Sequence, residues 1–178
     1  FELLKSVHSQ PSFCPTLAVR TLRGCWWKPT SKKAKVTGCA FCNLNLQWKG
    51  YRSKKPSHVI SEVDDLTAKH KVLAVAVVDN VLPKNTSTEI FEGLARLKKD
   101  LRIFSEIRAT TPLSELKVMC TAGMQEVQVG IEALSTSLLK KLHKGTTAIQ
   151  NLEIMKYCEA LGIANISNLI LQFPASDE

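Results

Sequence analysis

Short apolar runs alternate with amphipathic segments along most of this 178-residue chain, and the alternation constrains the fold more than any other feature. It predicts five strands, at residues 17–22, 72–78, 101–107, 126–131 and 163–171. The run 72–78 is almost continuously apolar, which is typical of a strand buried on both faces of a parallel sheet. Repeated strand–helix units predict an α/β protein with a parallel sheet, either open and doubly wound or forming part of a barrel.

The segments between these strands carry helix signals. Ser57 is a predicted N-cap, and Ser135 and Thr146 precede two further helices. Gly123 is predicted to end a helix, because glycine readily adopts the left-handed conformation that follows a last helical turn.

The composition fits one folded domain with a substantial core, since 44% of the residues are hydrophobic and 22% are charged. No run reaches the roughly 20 apolar residues that cross a bilayer. No signal peptide is apparent, so we expect a cytoplasmic protein. The sequence starts with Phe1 rather than Met, and we expect it to be part of a longer protein. We divide it into an entry segment at 1–16 and a core at 17–178.

Functional residues of parallel α/β folds gather where the strands end, at the carboxyl edge of the sheet. This rule selects five segments, namely 23–42, 79–80, 106–109, 132–135 and 168–174. The first of these contains several cysteines, so the predicted functional edge and the densest group of cysteines coincide.

Three of the six cysteines, Cys25, Cys39 and Cys42, lie in the segment after the first strand. Irregular spacings and a large core favour a metal site over a disulfide scaffold. Three thiolates can bind three irons of a four-iron cluster and leave the fourth open to a small molecule, whereas structural zinc sites usually close with four ligands. The count of three therefore favours a cluster. Cys120 and Cys158 fall on apolar helix faces and are predicted to be core residues.

The same segment is strongly basic in a chain of net charge +8. Its cations and aromatic residues are Lys28, Lys32, Lys33, Lys35, Lys49, Arg52, Lys54 and Lys55, with Trp26, Trp27, Phe41, Trp48 and Tyr51 among them. Such a patch can attract nucleic acid or another anion. A solvated loop that balances a negative cluster accounts for the lysines equally well.

Eight short segments follow one another in a recognisable order, namely Arg23–Trp27, Cys39–Asn45, Tyr51–Lys54, Val78–Asn80, Gly130–Ser135, Lys144–Thr147, Asn168–Leu169 and Phe173–Pro174. Together they resemble a radical S-adenosylmethionine (SAM) enzyme. More narrowly, they resemble the group that acts in peptide natural-product maturation and its cobalamin-associated relatives. The resemblance covers about residues 17–175.

Two features depart from the family pattern. Thirteen residues separate Cys25 from Cys39, more than is usual in the family. A longer loop can still return Cys25 to a cluster, because the entropic cost of closing a loop rises slowly with its length. The run 172–176 also stands where a Gly-Phe-Pro-Gly-Glu type of sequence is common.

The resemblance implies a partial parallel (β/α) barrel of six strands, of which we count five βα units here. It implies three cluster ligands, Cys25, Cys39 and Cys42, on a [4Fe–4S] cluster that also binds SAM. A cobalamin-binding domain usually precedes such a core in the cobalamin-associated group. Residues 1–16 are too short to supply it, so cobalamin would need a domain absent here.

The resemblance also implies reductive cleavage of SAM, with an electron from a reductant such as flavodoxin or ferredoxin. The resulting 5′-deoxyadenosyl radical would begin hydrogen abstraction or methylation of a larger substrate, such as a peptide. The cofactor supplies the difficult chemistry and the protein positions it.

Candidate SAM contacts follow from the same resemblance, each with a structural alternative. Phe41 is expected near the adenine, or else packs the cysteine loop. Glu132 is expected to hydrogen-bond the amino group or ribose, or else caps the helix after Ser135. Lys144 is expected to pair with the methionine carboxylate, or else complements a helix dipole.

Two further candidates end strands. Asn168 lies in an apolar strand, where a buried polar side chain needs a partner, either SAM or a neighbouring backbone group. Asp79 and Asn80 fall where relatives place backbone contacts to the methionine amine, or else form a plain turn.

Two other functions remain open from the sequence. One is a basic, cysteine-rich zinc module that binds nucleic acid through its lysines and tryptophans. The other is a degenerate radical SAM fold that has lost its cluster and serves as a scaffold.

Overall fold

The computed structural model describes residues 15–28, 38–47, 50–174 and 176. Its strands are β1 (Leu17–Val19), β2 (Leu22–Arg23), β3 (Arg52–Ser53), β4 (Ala74–Val77), β5 (Arg102–Arg108), β6 (Met124–Glu132) and β7 (Ala164–Leu169). Its helices are α1 (Leu44–Gln47), α2 (Pro56–His70), α3 (Ser87–Arg96), α4 (Leu113–Thr121), α5 (Thr136–Lys141) and α6 (Ala148–Ala160). Most of the proposed entry segment lies outside the described residues, as do Lys32, Lys33, Lys35, Trp48 and Lys49 of the basic patch.

Five strands form one parallel sheet in the order β1-β4-β5-β6-β7. Val19 pairs with Val77, Val77 with Ser105, and Ser105 with Val127 across neighbouring strands. Neighbours in the sheet follow the order of the chain, and each connection between them contains at least one helix. Within the described residues β1 and β7 are the two edges of the sheet. The predicted α/β fold with a partial parallel barrel is therefore confirmed, and the sheet is open.

The helices cover one face of the sheet, and the apolar core lies between the helices and that face. Alternate strand residues such as Val75, Val77 and Val129 are at most 4% exposed on that face. The opposite face carries half-buried residues such as Ala76 and Gln128. The expectation that 72–78 is buried on both faces is therefore wrong, because in the described chain no layer covers the second face of β4.

The helix caps correct two predicted starts. Lys55 is the N-cap of α2 and Pro56 its first residue, so Ser57 lies inside the helix and does not cap it. Thr147, one residue later than predicted, caps α6 and accepts a hydrogen bond from the Gln150 N–H. Ser135 caps α5 as predicted.

A second, two-stranded sheet was not foreseen. β2 and β3 pair antiparallel, with Leu22 opposite Ser53 and Arg23 opposite Arg52. Gly24 follows β2 with a φ of +79°, and a Cβ placed there would lie 2.8 Å from the Gly50 carbonyl oxygen. Only glycine fits this close approach. The ladder therefore brings together the two ends of the long segment that carries Cys25, Cys39 and Cys42.

No helix among the described residues is both long and apolar enough to span a bilayer.

Candidate functional site

The cysteine segment starts from a fixed point at the carboxyl edge of the sheet. Asp79, just after β4, is 3% exposed, and its Oδ2 atom accepts hydrogen bonds from the backbone N–H groups of Thr21 and Leu22. The Thr21 hydroxyl donates a third. Burial raises the pKa of the Asp79 carboxyl, and these hydrogen bonds oppose the rise. The Asp79 side chain thus holds the chain between β1 and β2, three residues before Cys25.

Each cysteine is then positioned by local hydrogen bonds. The Cys25 N–H donates to the Asn45 side chain at 3.0 Å, and that side chain donates to the Trp27 carbonyl at 3.4 Å. The Cys42 N–H donates to the Cys39 carbonyl at 3.1 Å, which forms a tight turn. Between them, the Ala40 N–H donates to Leu142 at the end of α5. The Cys39–Cys42 turn is therefore attached to the residue that follows α5.

The charges that act on the Cys39 thiol are those of Lys144, Arg108 and the other two thiols. Burial raises the pKa of the Cys39 thiol, Lys144 and Arg108 lower it, and Cys42 and Cys25 raise it. Cys25 and Cys39 are half-buried, whereas Cys42 is exposed. The hydrogen bond from Cys25 to Asn45 ties Cys25 to a residue three positions after Cys42, although thirteen residues separate Cys25 from Cys39.

Arg108 ends β5 and is a buried cation near the cysteines, 8% exposed. Its guanidinium carbon lies 4.5 Å from the centre of the Trp27 ring and 5.5 Å from that of Trp26. It donates to the Lys144 carbonyl. Burial lowers the pKa of Arg108, and Cys39 opposes that shift most strongly.

The two tryptophans are part of this packing. Trp26 and Trp27 meet edge to face, with ring centres 6.4 Å apart. Their indole N–H groups donate to the Leu82 and His143 carbonyls, each at 2.9 Å. Both rings are therefore engaged within the protein, which counts against the nucleic-acid patch predicted from them.

Glu132 and Lys144 form a buried ion pair beside the cysteines. The Lys144 Nζ lies 2.7 Å from the Glu132 Oε1, and the side chains are 8% and 14% exposed. Glu132 has a φ of +60°, a strained conformation for a residue with a side chain. A Cβ on Gly130 would lie 2.8 Å from the Lys144 Nζ, so glycine leaves room for the pair. The alternative roles of Glu132 and Lys144, helix cap and dipole partner, do not describe this geometry.

The remaining predicted residues lie around the same edge. Phe41 is 40% exposed, and the Lys144 Nζ lies 5.7 Å from its ring centre. Asn80 is exposed. Asn168 is also exposed, on the open face of β7, which corrects the expectation that it is buried. Cys158 is fully buried and Cys120 packs against the core, as predicted.

Sequence reasoning missed two charged residues here. Arg108 and Glu106 fall within the segment 106–109 that the strand-end rule selected, but nothing in the sequence singled them out. Burial raises the pKa of Glu106, and the carboxylates of Glu132 and Asp79 raise it further. The sequence signal that could have identified them is the presence of a cation and a carboxylate at the end of an apolar strand.

The arrangement defines an α/β protein with a cysteine-bearing loop at the carboxyl edge of an open parallel sheet. The family model described as the Radical SAM superfamily matches residues 23–178. The chain belongs to this superfamily of enzymes, and the resemblance seen in the sequence is confirmed.

Individual relatives agree with this assignment. The chain is 26% identical over 179 residues to an uncharacterized methyltransferase of Pyrococcus horikoshii, covering 98% of this chain and 37% of the relative. It is 28% identical over 140 residues to the anaerobic magnesium-protoporphyrin IX monomethyl ester cyclase of Rubrivivax gelatinosus, covering 75% and 25%.

The fold is that of solved radical enzymes. The structure of the cobalamin-dependent S-adenosylmethionine radical enzyme OxsB, with aqua-cobalamin and SAM bound, superposes with a TM-score of 0.73 at 23% identity, over 88% of this chain and 24% of OxsB. The chain thus spans between 24% and 37% of the length of these three proteins.

Proposed function

We propose that this chain is the cofactor-binding core of a radical SAM enzyme, with a [4Fe–4S] cluster bound by Cys25, Cys39 and Cys42. One observation carries the proposal. Three cysteines spread over 18 residues are tied by hydrogen bonds of their own segment to the strand edge where α/β enzymes bind ligands, Cys25 through Asn45 and the Cys39–Cys42 turn through Leu142.

The residues fit such a cluster. Its three cysteines each bind a different iron, so the sulfurs need not converge on one point. In the described ranges no three His, Cys, Asp or Glu side chains are grouped so that they could hold a metal ion. The buried Arg108 and the nearby Lys144 offset the negative charge of three thiolates. When bound, the cluster supplies an electron for the cleavage of SAM.

We place SAM beside the Glu132–Lys144 pair. The pair presents one anion and one cation, 2.7 Å apart, which complements the amino and carboxylate groups of the methionine part. Phe41 and Asn168 are exposed near the same edge and available for the adenine and ribose. Asp79 is occupied with Thr21 and Leu22, so we assign Asp79 and Asn80 backbone contacts only.

The relatives guide the wider proposal. A methyltransferase and a cobalamin-dependent radical enzyme favour methylation or hydrogen abstraction, with cobalamin held by a domain outside residues 17–178. A flavodoxin or ferredoxin would supply the electron. The open face of the sheet leaves room for a larger substrate, and we propose a peptide.

Anaerobic reconstitution with iron and sulfide tests the cluster. We expect about four irons per chain, as one such cluster requires, and a reduced paramagnetic signal that changes when SAM is added. Cys39→Ala should lose iron and signal. Cys120→Ala is the matched control, because Cys120 is also half-buried but lies in α4 against the core.

The other outcomes identify the rival functions. Bound zinc without iron, together with salt-sensitive binding of RNA, would replace the proposal with the zinc module. Wild-type protein that folds and binds neither metal would indicate a scaffold that has lost its cluster.

Equilibrium dialysis of radiolabelled SAM against reconstituted protein tests the second cofactor. Glu132→Gln and Asn168→Ala should each weaken SAM binding by at least several-fold, while iron content stays at the wild-type level. Glu159→Gln, an exposed carboxylate in α6, serves as the control. Unchanged affinity in both site variants would contradict the proposed SAM position.

A further inference from the structure

We propose that Arg108 is a positioning and electrostatic residue that raises the reduction potential of the cluster and fixes the cysteine loop to the sheet. The inference rests on the proposed cluster and adds a residue that the sequence did not single out. It is carried by the contacts of one buried guanidinium with three separate parts of the site.

Arg108 joins segments that are distant in the sequence. Its planar cation lies against the Trp27 ring, and Trp26 lies beside it. The same group donates to the Lys144 carbonyl after α5, and its charge interacts favourably with Cys39 and Cys25. Both tryptophans are near neighbours of Cys25, so Arg108 reaches both halves of the cysteine segment from the end of a rigid strand.

The surroundings explain why an arginine suits this position. A guanidinium can stack on aromatic rings and donate several hydrogen bonds in one plane, which a lysine ammonium cannot do. Cation–π contacts of this kind are strongest where water is excluded, and Arg108 is 8% exposed. The guanidinium is therefore a positive charge held in place at the end of β5 by the two tryptophan rings.

A fixed positive charge has a defined effect on a cluster. One-electron reduction adds a negative charge, which a nearby cation stabilises. Hydrogen bonds to the ligand sulfurs and the net local charge are two of the factors that set the potentials of iron–sulfur clusters. Lys144 also lies near Cys39, but its charge is paired with Glu132. Arg108 is thus the cation whose removal should matter most.

The test compares midpoint potentials in mediator titrations of the reconstituted chain, followed by electron paramagnetic resonance. Arg108→Gln should lower the potential. Arg108→Met is a second neutral variant that keeps apolar length against the tryptophans, for use if the first does not fold. Arg108→Lys keeps the charge and should stay close to wild type.

Arg102→Gln is the matched control. It removes the same charge from the same strand, but from its exposed first residue, roughly 20 Å away at about 3.3 Å per residue. It should leave the potential unchanged. Iron content is measured for every variant, so that loss of cluster is not mistaken for a change of potential.

The outcomes separate this inference from the proposed function. Neutral variants that hold four irons at the wild-type potential would overturn the role of Arg108 and leave the cluster proposal intact. An equal drop in Arg108→Lys and Arg108→Gln would overturn the electrostatic account. A wild-type chain that binds no cluster would overturn both proposals.

Discussion

The Oδ2 atom of Asp79 lies 2.6 Å from the backbone nitrogen of Thr21 and 2.5 Å from the Thr21 hydroxyl oxygen. Both hydrogen bonds are buried. The two residues belong to the ends of neighbouring parallel strands, 58 positions apart. One carboxylate therefore sets where the chain leaves the sheet to form the cysteine segment.

Asp79→Ala should destabilise the protein by about 3 kcal/mol, because it leaves buried backbone donors of Thr21 and Leu22 without an acceptor. Denaturant unfolding measures the change. Thr21→Val removes only the hydroxyl donor and should cost about 1 kcal/mol. Asn80→Ala, at the exposed neighbouring position, should behave as wild type; a cost equal to that of Asp79→Ala would contradict the role assigned to the carboxylate.

The ion pair of Glu132 and Lys144 predicts strong coupling in a double-mutant cycle. Glu132→Gln or Lys144→Met leaves one charge buried without its partner, and each should cost about 3 kcal/mol. The double variant should recover most of that loss, because no unpaired charge remains. Additive losses in the unfolding free energies would show that the two side chains act independently.

The sheet was predictable because its strands are apolar runs separated by helix signals. The burial of β4 differs from the prediction, because only one of its two faces is buried. Val75 and Val77 face the helices, and Ala74 and Ala76 face the open side. The alternation of large and small residues was present in the sequence. Hydropathy alone does not distinguish the two faces, because alanine counts as apolar on either of them.

The site was predictable only in part, for a similar reason. The cysteines and Glu132 stand in recognisable motifs, whereas β2 and β3 are too short to show any periodicity and form only by pairing across the cysteine segment. From the sequence alone, Arg108 cannot be distinguished from any other cation at the end of an apolar strand. Its burial depends on two tryptophans more than 80 residues earlier, which no local pattern can show.

Glu106 predicts a pH dependence of stability. Burial and the carboxylates of Glu132 and Asp79 raise its pKa above the ordinary 4.5, so the folded state holds its proton more tightly than the unfolded chain does. The resulting stabilisation is complete below pH 4.5 and is lost as the pH rises through the raised pKa.

As the pH rises from 4 to 7, the free energy of unfolding should therefore fall less in Glu106→Gln than in wild type. Unfolding free energies at several pH values in that range measure the difference. Glu159→Gln, exposed in α6, should follow the wild-type curve. Parallel curves for wild type and Glu106→Gln would show that Glu106 does not titrate in this way.

Gly145 offers a test of how the tryptophans are held. Its φ is +71°, and a Cβ there would lie 2.1 Å from the Trp27 ring. Gly162 has a similar φ of +67°, but a Cβ placed on Gly162 would have no other atom within 4 Å. Gly162→Ala therefore reports backbone strain alone, about 1 to 2 kcal/mol. Gly145→Ala should cost at least about 1 kcal/mol more, because the ring must move.

Moving that ring should also displace the cysteine loop, because Trp27 packs on Arg108 and its backbone N–H donates to the Cys25 sulfur at 3.4 Å. We therefore expect Gly145→Ala to take up less iron on reconstitution, whereas Gly162→Ala takes up the wild-type amount. Thermal unfolding and iron content of both variants decide the point. Equal unfolding temperatures and equal iron would mean that the loop tolerates displacement of Trp27, and that the cysteines are held by Asn45 and Leu142 instead.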